Sequence, residues 1–185
     1  MAKLIYSAIT SLDGYIEDEH GVFEWAAPDA EVLTAVNELE RPIGTYIYGR
    51  RMYETMLYWE TAEPEDLDPE SRAWMEIWRA ADKIVYSRTL TKATTSKTQI
   101  VREFDPAAIR RLKDSSAHDI TIGGADIAGQ AMAAGLVDEI QLFLNPVIIG
   151  GGKRALPDGV RTRLELTQER RFRGGVVFLG YQVRG

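Results

Sequence analysis

The segment Asp119–Met132 (DITIGGADIAGQAM) carries the pattern best suited to binding a charged ligand. Its apolar start is typical of a buried strand, the strand stops at Gly123 and Gly124, and a helix then begins with Ala125 and Asp126 in its first turn. Paired glycines at a helix N-terminus leave backbone N–H groups in a concavity without side-chain bulk. The segment therefore predicts a phosphate or pyrophosphate site, with an ordinary Gly-Gly turn as the alternative.

Two other predicted strands, Thr45–Tyr48 and Lys83–Tyr86, are followed directly by residues that suit phosphate. Guanidinium groups bind phosphate through paired N–H bonds, and hydroxyl groups add single hydrogen bonds. A solvated basic turn is the alternative interpretation of the arginine pair. The residues after the two strands are Gly49, Arg50, Arg51, Met52, Ser87 and Arg88.

These three strand ends predict one shared binding site. The carboxyl ends of parallel strands lie at one edge of a sheet, so the glycines, hydroxyls and arginines should converge there. Glycine amides would bind a pyrophosphate and the arginines a further phosphate, which favours NADPH over NADH because arginine accommodates a 2′-phosphate. A GxGxxG motif after the first strand is absent, so an ordinary dinucleotide-binding fold is not expected.

Four residues near the first predicted strand and helix are further candidates. Asp13 and Gly14 form a turn after strand Lys3–Thr10, and Asp13 is the first candidate for proton handling or a substrate hydrogen bond. Asp29 and Glu31 lie in the first turn of a predicted helix, where they suit the helix dipole. The functional alternative is that one of these two carboxylates faces a substrate pocket.

A glycine run at 150–152 precedes Lys153 and Arg154, which could bind an anionic substrate or belong to a mobile linker. The chain has 185 residues, no cysteine and two histidines, so we expect one domain over 1–185 and no thiolate or histidine metal site. The net charge of −6 disfavours nucleic-acid binding. Without a membrane-spanning run or a signal pattern, a cytoplasmic protein is expected.

Alternating apolar and polar residues predict the remaining elements of an α/β protein. Predicted helices run from Pro28 to about Glu40, from Ser71 to Ala81, from Pro106 to about Lys113 and from Ala125 to about Ala134. Further strands are predicted at Gln99–Val101 and Val137–Leu144. Two long alternating runs, Thr162–Phe172 and Val176–Val183, flank Gly174 and Gly175 and predict a C-terminal β-hairpin.

Five motifs in order along the chain resemble the dihydrofolate reductase-like superfamily, most closely its branch with the reductase domain of riboflavin biosynthesis (the RibD C-terminal type). They are SLDGYI (11–16), YGRRMYETM (48–56), VYSRTL (85–90), IGGADIAGQAM (122–132) and NPVIIGGGKRALP (145–157). The resemblance implies a three-layer α/β/α fold with a mixed, mostly parallel sheet of about eight strands. It also implies an NADPH site built from the glycines, arginines and Ser87 named above.

The resemblance further implies a reductase that transfers hydride to a C=N or C=O group of a small heterocyclic or sugar-like substrate, with Asp13 and Gly14 near the nicotinamide. It implies a homodimer, with Trp74, Trp78 and the C-terminal hairpin as candidate interface surfaces. Two departures matter: the family usually has threonine where Met52 stands, and the zinc-dependent deaminase domain is missing. A non-catalytic NADPH-binding sensor is the alternative function.

Overall fold

A computed structural model of the chain describes residues 1–184. In chain order the strands are β1 (Leu4–Ser11), β2 (Tyr15–Glu17), β3 (Ile43–Gly49), β4 (Asp82–Tyr86), β5 (Thr98–Val101), β6 (Asp119–Gly123), β7 (Glu139–Asn145), β8 (Lys153–Arg154), β9 (Arg163–Arg171) and β10 (Val177–Arg184). The helices are α1 (Ala30–Glu40), α2 (Arg50–Met56), α3 (Tyr58–Thr61), α4 (Pro69–Ala80), α5 (Pro106–Ser115) and α6 (Ala125–Ala133). Short 3₁₀ turns occupy Glu24–Ala26 and Pro64–Asp66.

Eight strands form one mixed sheet in the order β5-β4-β3-β6-β1-β7-β10-β9. The six strands from β5 to β7 are parallel, whereas β10 and β9 run antiparallel as the C-terminal hairpin. This arrangement confirms the predicted mixed, mostly parallel sheet and the hairpin that extends it. All parallel strands place their carboxyl ends at one edge, where open α/β sheets bind ligands.

Helices cover both faces of this sheet and bury a core on each. On one face α5 and α6 pack on a layer that includes Ile47, Ile120 and Ile122. On the other face α1, α2 and α4 cover residues such as Tyr46 and Phe143. Burial on both faces explains why the central strands are almost continuously apolar.

Aspartates cap the longer helices, and glycines begin the two helices nearest the candidate site. Asp29, Asp68 and Asp105 each accept a backbone N–H from the first turn of α1, α4 or α5, at 2.8–2.9 Å. The N-cap residues of α2 and α6 are Gly49 and Gly124, which supply no side chain. Helix N-termini without a capping side chain leave their first backbone donors available to another partner.

A second, two-stranded sheet pairs β2 with β8 and was not predicted from the sequence. It brings the glycine run before Lys153 against the loop that follows β1. Gly152 has a φ of +129°, and a Cβ there would lie 2.0 Å from the carbonyl oxygen of Glu17. Only glycine fits this crossing at position 152, which favours a structural role for this end of the glycine run over the alternative of a mobile linker.

A polar cluster is buried where α1 ends against the sheet. Glu40 is 5% exposed, and its carboxylate accepts a hydrogen bond from the Thr121 hydroxyl at 3.3 Å. The Tyr46 hydroxyl faces the same carboxylate without completing a hydrogen bond. Burial raises the pKa of Glu40 from 4.5 to about 7, because desolvation outweighs the two hydroxyl groups.

Two predictions about aromatic and apolar surfaces differ in outcome. Trp78 is fully buried, donates its indole N–H to the Tyr48 hydroxyl at 3.1 Å and lies under the Lys83 ammonium, so its predicted place in a subunit interface is wrong. All nine residues of β9 are exposed, including Leu164 and Leu166.

Within residues 1–184, no helix is both long and apolar enough to cross a membrane.

Candidate functional site

The three strand ends singled out in the sequence lie side by side. β4, β3 and β6 are consecutive parallel strands, with Gly49 beside Tyr86 and Tyr48 beside Gly123. The loops and helices that follow them therefore start from one edge of the sheet. The predicted convergence of glycines, hydroxyls and arginines is confirmed.

Bare backbone forms the floor of this region. Gly124 has a φ of +99°, and a Cβ there would lie 3.5 Å from the Met52 Cβ and 3.8 Å from the Gly49 nitrogen. A Cβ on Gly123 would lie 2.9 Å from the Tyr48 ring. Glycine is therefore required at Gly124 by its positive φ and at Gly123 by the Tyr48 ring, whereas the contacts of a Cβ at Gly124 would be ordinary ones.

A cleft of about 720 Å³ opens above this floor. Its size is within the range of small-molecule and cofactor sites. Every residue predicted to bind a cofactor lines it except Gly123, whose Cα faces the Tyr48 ring instead. The lining residues predicted from the sequence are Gly49, Arg50, Arg51, Met52, Ser87, Arg88, Gly124, Ala125 and Asp126.

The three arginines that follow strand ends differ in how they are held. Arg50 donates to the Glu54 carboxylate and to the Thr89 hydroxyl, each at 2.7 Å. The side chains of Arg51 and Arg88 are exposed, and neither forms a hydrogen bond or ion pair with any part of the chain that the structure describes. These two guanidinium groups can therefore contact an anion without first breaking an internal contact.

The loop after β4 is rigidly built around Ser87. The Ser87 hydroxyl oxygen accepts the backbone N–H groups of Thr89 and Leu90 at 3.4 and 3.0 Å. The Arg102 guanidinium donates to the carbonyl oxygens of Ser87 and Leu90 at 3.0 and 2.6 Å. The hydroxyl oxygen is used as an acceptor, which leaves its single O–H donor for another group.

Tyr53 binds the later part of the connection between β4 and β5. Its hydroxyl oxygen accepts the backbone N–H groups of Thr94 and Thr95 at 3.1 and 3.3 Å and lies 3.0 Å from the Thr95 hydroxyl. Because Tyr53 belongs to α2 and is 1% exposed, it fixes the β4–β5 connection to the helix that starts at the cleft. This anchor was not predicted from the sequence.

The opposite wall of the cleft was also missed. It follows β5, where neither a glycine pair nor a hydroxyl stands at the strand end. Arg102 directly after this strand is the same strand-end arginine signal that was used after β3 and β4, and it could have identified this wall. Tyr86 and Phe104 pack there with ring centroids 5.7 Å apart. The lining residues not predicted are Tyr86, Thr89, Arg102, Glu103, Phe104, Ile127 and Gln130.

Lys153 and Arg154 are placed by β8 beside a second cavity of about 670 Å³. This cavity lies between α6 and residues 152–160. Lys153 lines both cavities, whereas Arg154 lines only the second. The Lys153 ammonium contacts the Asp126 carboxylate at 2.6 Å, so an ion pair stands where the two cavities meet.

Asp13 and Gly14 hold the loops after β1 and β7 together. The Asp13 carboxylate accepts the backbone N–H groups of Gly150 at 2.8 Å and Ile149 at 3.3 Å, and the Gly14 carbonyl accepts the N–H of Ala155 at 2.9 Å. The Ser11 hydroxyl and then these two amides lower the pKa of Asp13. The group is therefore a carboxylate near neutral pH, and its role in catalysis stays a prediction.

Asp29 and Glu31 both have structural partners. Asp29 caps α1 as described, and the Glu31 carboxylate accepts the backbone N–H of Arg173 in the C-terminal hairpin turn at 3.0 Å. Neither residue lines the two cavities. Their assignment to substrate chemistry remains a prediction.

Across residues 1–184 no cluster of three or more histidines or acids could bind a metal ion.

The comparisons with known proteins agree with this architecture. The family model described as the RibD C-terminal domain matches residues 2–178. The uncharacterised protein YyaP of Bacillus subtilis (strain 168) is 28% identical over 188 residues, which cover 99% of this chain and 96% of that protein.

Solved structures share the fold at low sequence identity. A proposed riboflavin biosynthesis protein of Shewanella sp. PV-4 has 20% identity and a TM-score of 0.78, with both chains covered completely. A pyrimidine reductase-like protein of Corynebacterium diphtheriae has 16% identity and a TM-score of 0.71, with 100% of this chain and 92% of that one covered. The Thermotoga maritima diaminohydroxyphosphoribosylaminopyrimidine deaminase/5-amino-6-(5-phosphoribosylamino)uracil reductase has 15% identity and a TM-score of 0.69. There, 99% of this chain matches 57% of the longer protein.

Proposed function

The chain belongs to the RibD C-terminal domain family, and from this premise we propose that it is an NADPH-dependent reductase. The substrate would be a small heterocyclic or sugar-like molecule with a C=N or C=O group, as the reductase names of structural relatives suggest. One observation carries the proposal: a single cleft gathers a glycine floor and two unengaged arginines at the ends of adjacent parallel strands.

The residues of the cleft fit the charge pattern of this cofactor. The uncapped first turn of α6 offers peptide N–H groups that suit a pyrophosphate, and the positive φ of Gly124 favours glycine at its start. Arg51, Arg88 and the free O–H of Ser87 suit a 2′-phosphate. Tyr86 and Phe104 provide an apolar wall, which suits the adenine ring.

The cofactor would supply the hydride, and the chain would supply position and electrostatics. The rigid loop around Ser87 and the fixed start of α2 would orient the adenosine half. Arg154 beside the second cavity would bind an anionic group of the substrate, and Lys153, which lines both cavities, is within reach of the substrate and of the cofactor. Asp13, Asp29 and Glu31 remain the candidates for the proton, and each already accepts a backbone N–H.

Replacing Arg88 by alanine tests the cofactor assignment. Loss of one charge-assisted contact should weaken NADPH binding by about 10- to 100-fold, while NADH, which lacks the 2′-phosphate, should bind the variant and the wild type alike. Arg110 on α5 does not line the cleft, so Arg110→Ala is the matched control with the same charge change. Unchanged NADPH affinity in the Arg88 variant would contradict the proposal.

A sensor with the same pocket is the second candidate, because all three candidate carboxylates accept backbone hydrogen bonds. Absorbance at 340 nm separates the two functions when NADPH is incubated with a panel of pyrimidine and sugar carbonyl compounds. Oxidation with any of them supports the reductase, whereas stoichiometric binding without oxidation supports the sensor.

We also propose that the protein forms a homodimer through β9. The support is an edge strand with nine exposed residues, where Leu164 and Leu166 are 40% and 48% exposed. An unpaired, partly apolar edge strand is a common association surface. Light scattering on the wild type and on a Leu164→Lys/Leu166→Lys variant checks this: a dimer should become a monomer, and a monomeric wild type refutes it.

A further inference from the structure

The ion pair between Lys153 and Asp126 stands at the one place where the two cavities touch. The residues that both cavities share are Ala125, Asp126, Gln130 and Lys153. The Asp126 side chain is 82% exposed and the Lys153 side chain is 25% exposed, so a ligand in the cleft can reach the pair. The charges of Lys153 and Asp126 should therefore affect the affinity of an anion that binds where the two cavities meet.

An acidic residue in the first turn of a helix suits the helix dipole, and Asp126 has a second effect in this position. It lies in the first turn of α6, next to the uncapped Gly124, and it puts a negative charge beside backbone donors that suit a phosphate. A carboxylate there repels a pyrophosphate and at the same time engages the nearest ammonium group. The Asp126 carboxylate thus lies on the part of the cleft surface that suits an anionic ligand.

The lysine, in contrast, is firmly placed. Ala155, two residues after Lys153, donates its N–H to the Gly14 carbonyl, and its own carbonyl accepts the hydroxyl proton of buried Tyr6 at 2.7 Å. Pro157 packs over Gly129 of α6, where a Cβ would lie 3.2 Å from the proline ring. The backbone that carries Lys153 is fixed, so a change of partner needs only rotation of its side chain.

We propose that Asp126 is a built-in competitor for the cofactor's phosphates, and that Lys153 exchanges Asp126 for the pyrophosphate when the cofactor binds. The inference rests on the proposed cofactor site and adds a step to it. The pair stabilises the ligand-free cleft, and its rupture is the step that moves Lys153 fully to the cofactor side. Asp126 thereby lowers the affinity for the cofactor and speeds the dissociation of the cofactor.

Binding of NADPH by Asp126→Asn, Lys153→Met and the double variant tests this exchange by calorimetry. We expect the Asp126 variant to bind about five- to tenfold more tightly, because both the repulsion and the competing partner are removed. The Lys153 variant should bind about tenfold more weakly. The gain from Asp126→Asn should be smaller in the Lys153→Met background, where only the repulsion remains to be removed.

Asp158→Asn is the matched control, since Asp158 lines only the second cavity and forms no ion pair within the described chain. It should bind NADPH as the wild type does. An equal gain from Asp126→Asn in both backgrounds would overturn the exchange, as would unchanged or weaker binding by the Asp126 variant. Inorganic pyrophosphate, titrated into the same proteins, separates the two proposals: if no protein binds NADPH, the cofactor proposal fails, and the pyrophosphate affinities still decide the exchange.

Discussion

Replacement of Glu40 by glutamine should change the free energy of unfolding in a pH-dependent way. As the pH rises, the variant should gain stability relative to the wild type. The carboxyl group has a pKa of 4.5 when unfolded and about 7 when folded, because it is buried beneath Thr121 and Tyr46. Between these two values the folded state binds a proton that the unfolded state has lost. The contribution of Glu40 to stability is therefore complete below pH 4.5 and is lost as the pH rises through 7.

The magnitude follows from the two pKa values. Each pKa difference of one corresponds to 1.36 kcal/mol, so a rise from 4.5 to about 7 costs the wild type about 3 kcal/mol on going from pH 4.5 to above pH 7. Glutamine has a similar shape and no charge. The difference in the free energy of unfolding between Glu40→Gln and wild type should therefore shift in favour of the variant by about 3 kcal/mol over that range.

Urea unfolding at several pH values between 4.5 and 8.5 measures this difference, and titration of all other groups cancels between the two proteins. Glu38→Gln is the control on the same helix, since Glu38 is exposed and lies 3.7 Å from Arg170. Its difference from the wild type should vary little over this pH range. A Glu40→Gln difference that stays constant with pH, or that shifts toward the wild type, would refute the reasoning.

Three further substitutions have defined outcomes. Gly152→Ala must separate β2 from β8, because its Cβ would overlap the Glu17 carbonyl; we expect faster amide hydrogen exchange in residues 15–17 and a loss of about 1–3 kcal/mol. Tyr53→Phe leaves the Thr94 and Thr95 amides without their acceptor and should cost about 1–3 kcal/mol in urea unfolding. Burial lowers the pKa of Lys83 from 10.5 to about 8, so the stability of the wild type should rise between pH 8 and 10.5 relative to Lys83→Met, and parallel curves would contradict this.

The sequence was most informative where side-chain periodicity and glycine coincide. Strands buried on both faces are continuous apolar runs, and three of them stop at Gly49, Ser87 and Gly123, so both the sheet and the edge that carries the candidate site could be predicted. Two of the aspartate caps were placed differently: Asp29 was predicted inside the first turn of its helix, and the helix that Asp68 caps was predicted to begin only at Ser71.

Other parts of the site depend on contacts that no local pattern reports. β8 has only two residues, too few to show alternation, and its partner β2 is more than 130 residues away in the chain. Arg102 follows β5 as Arg50 follows β3, but only the fold shows that its side chain donates to two carbonyl oxygens of the loop after β4. Likewise, the sequence could not tell whether Asp126 would face a ligand or pair with Lys153, since the pairing is a product of the tertiary fold.

The glycine floor and the rim of the cleft would contribute differently to ligand binding. The floor offers backbone donors, whereas the side chains of the rim would determine which ligand is preferred. Peptide groups at Gly49 and Gly124 present the same donors whatever side chains surround them, so substitutions on the rim leave that part of the surface intact. The rim, with Arg51, Arg88 and the wall after β5, can change one residue at a time without any repacking of the sheet beneath it. If the cleft binds the proposed cofactor, substitutions on the rim would change the substrate or the cofactor preference while the fold and the backbone donors for phosphate stay as they are.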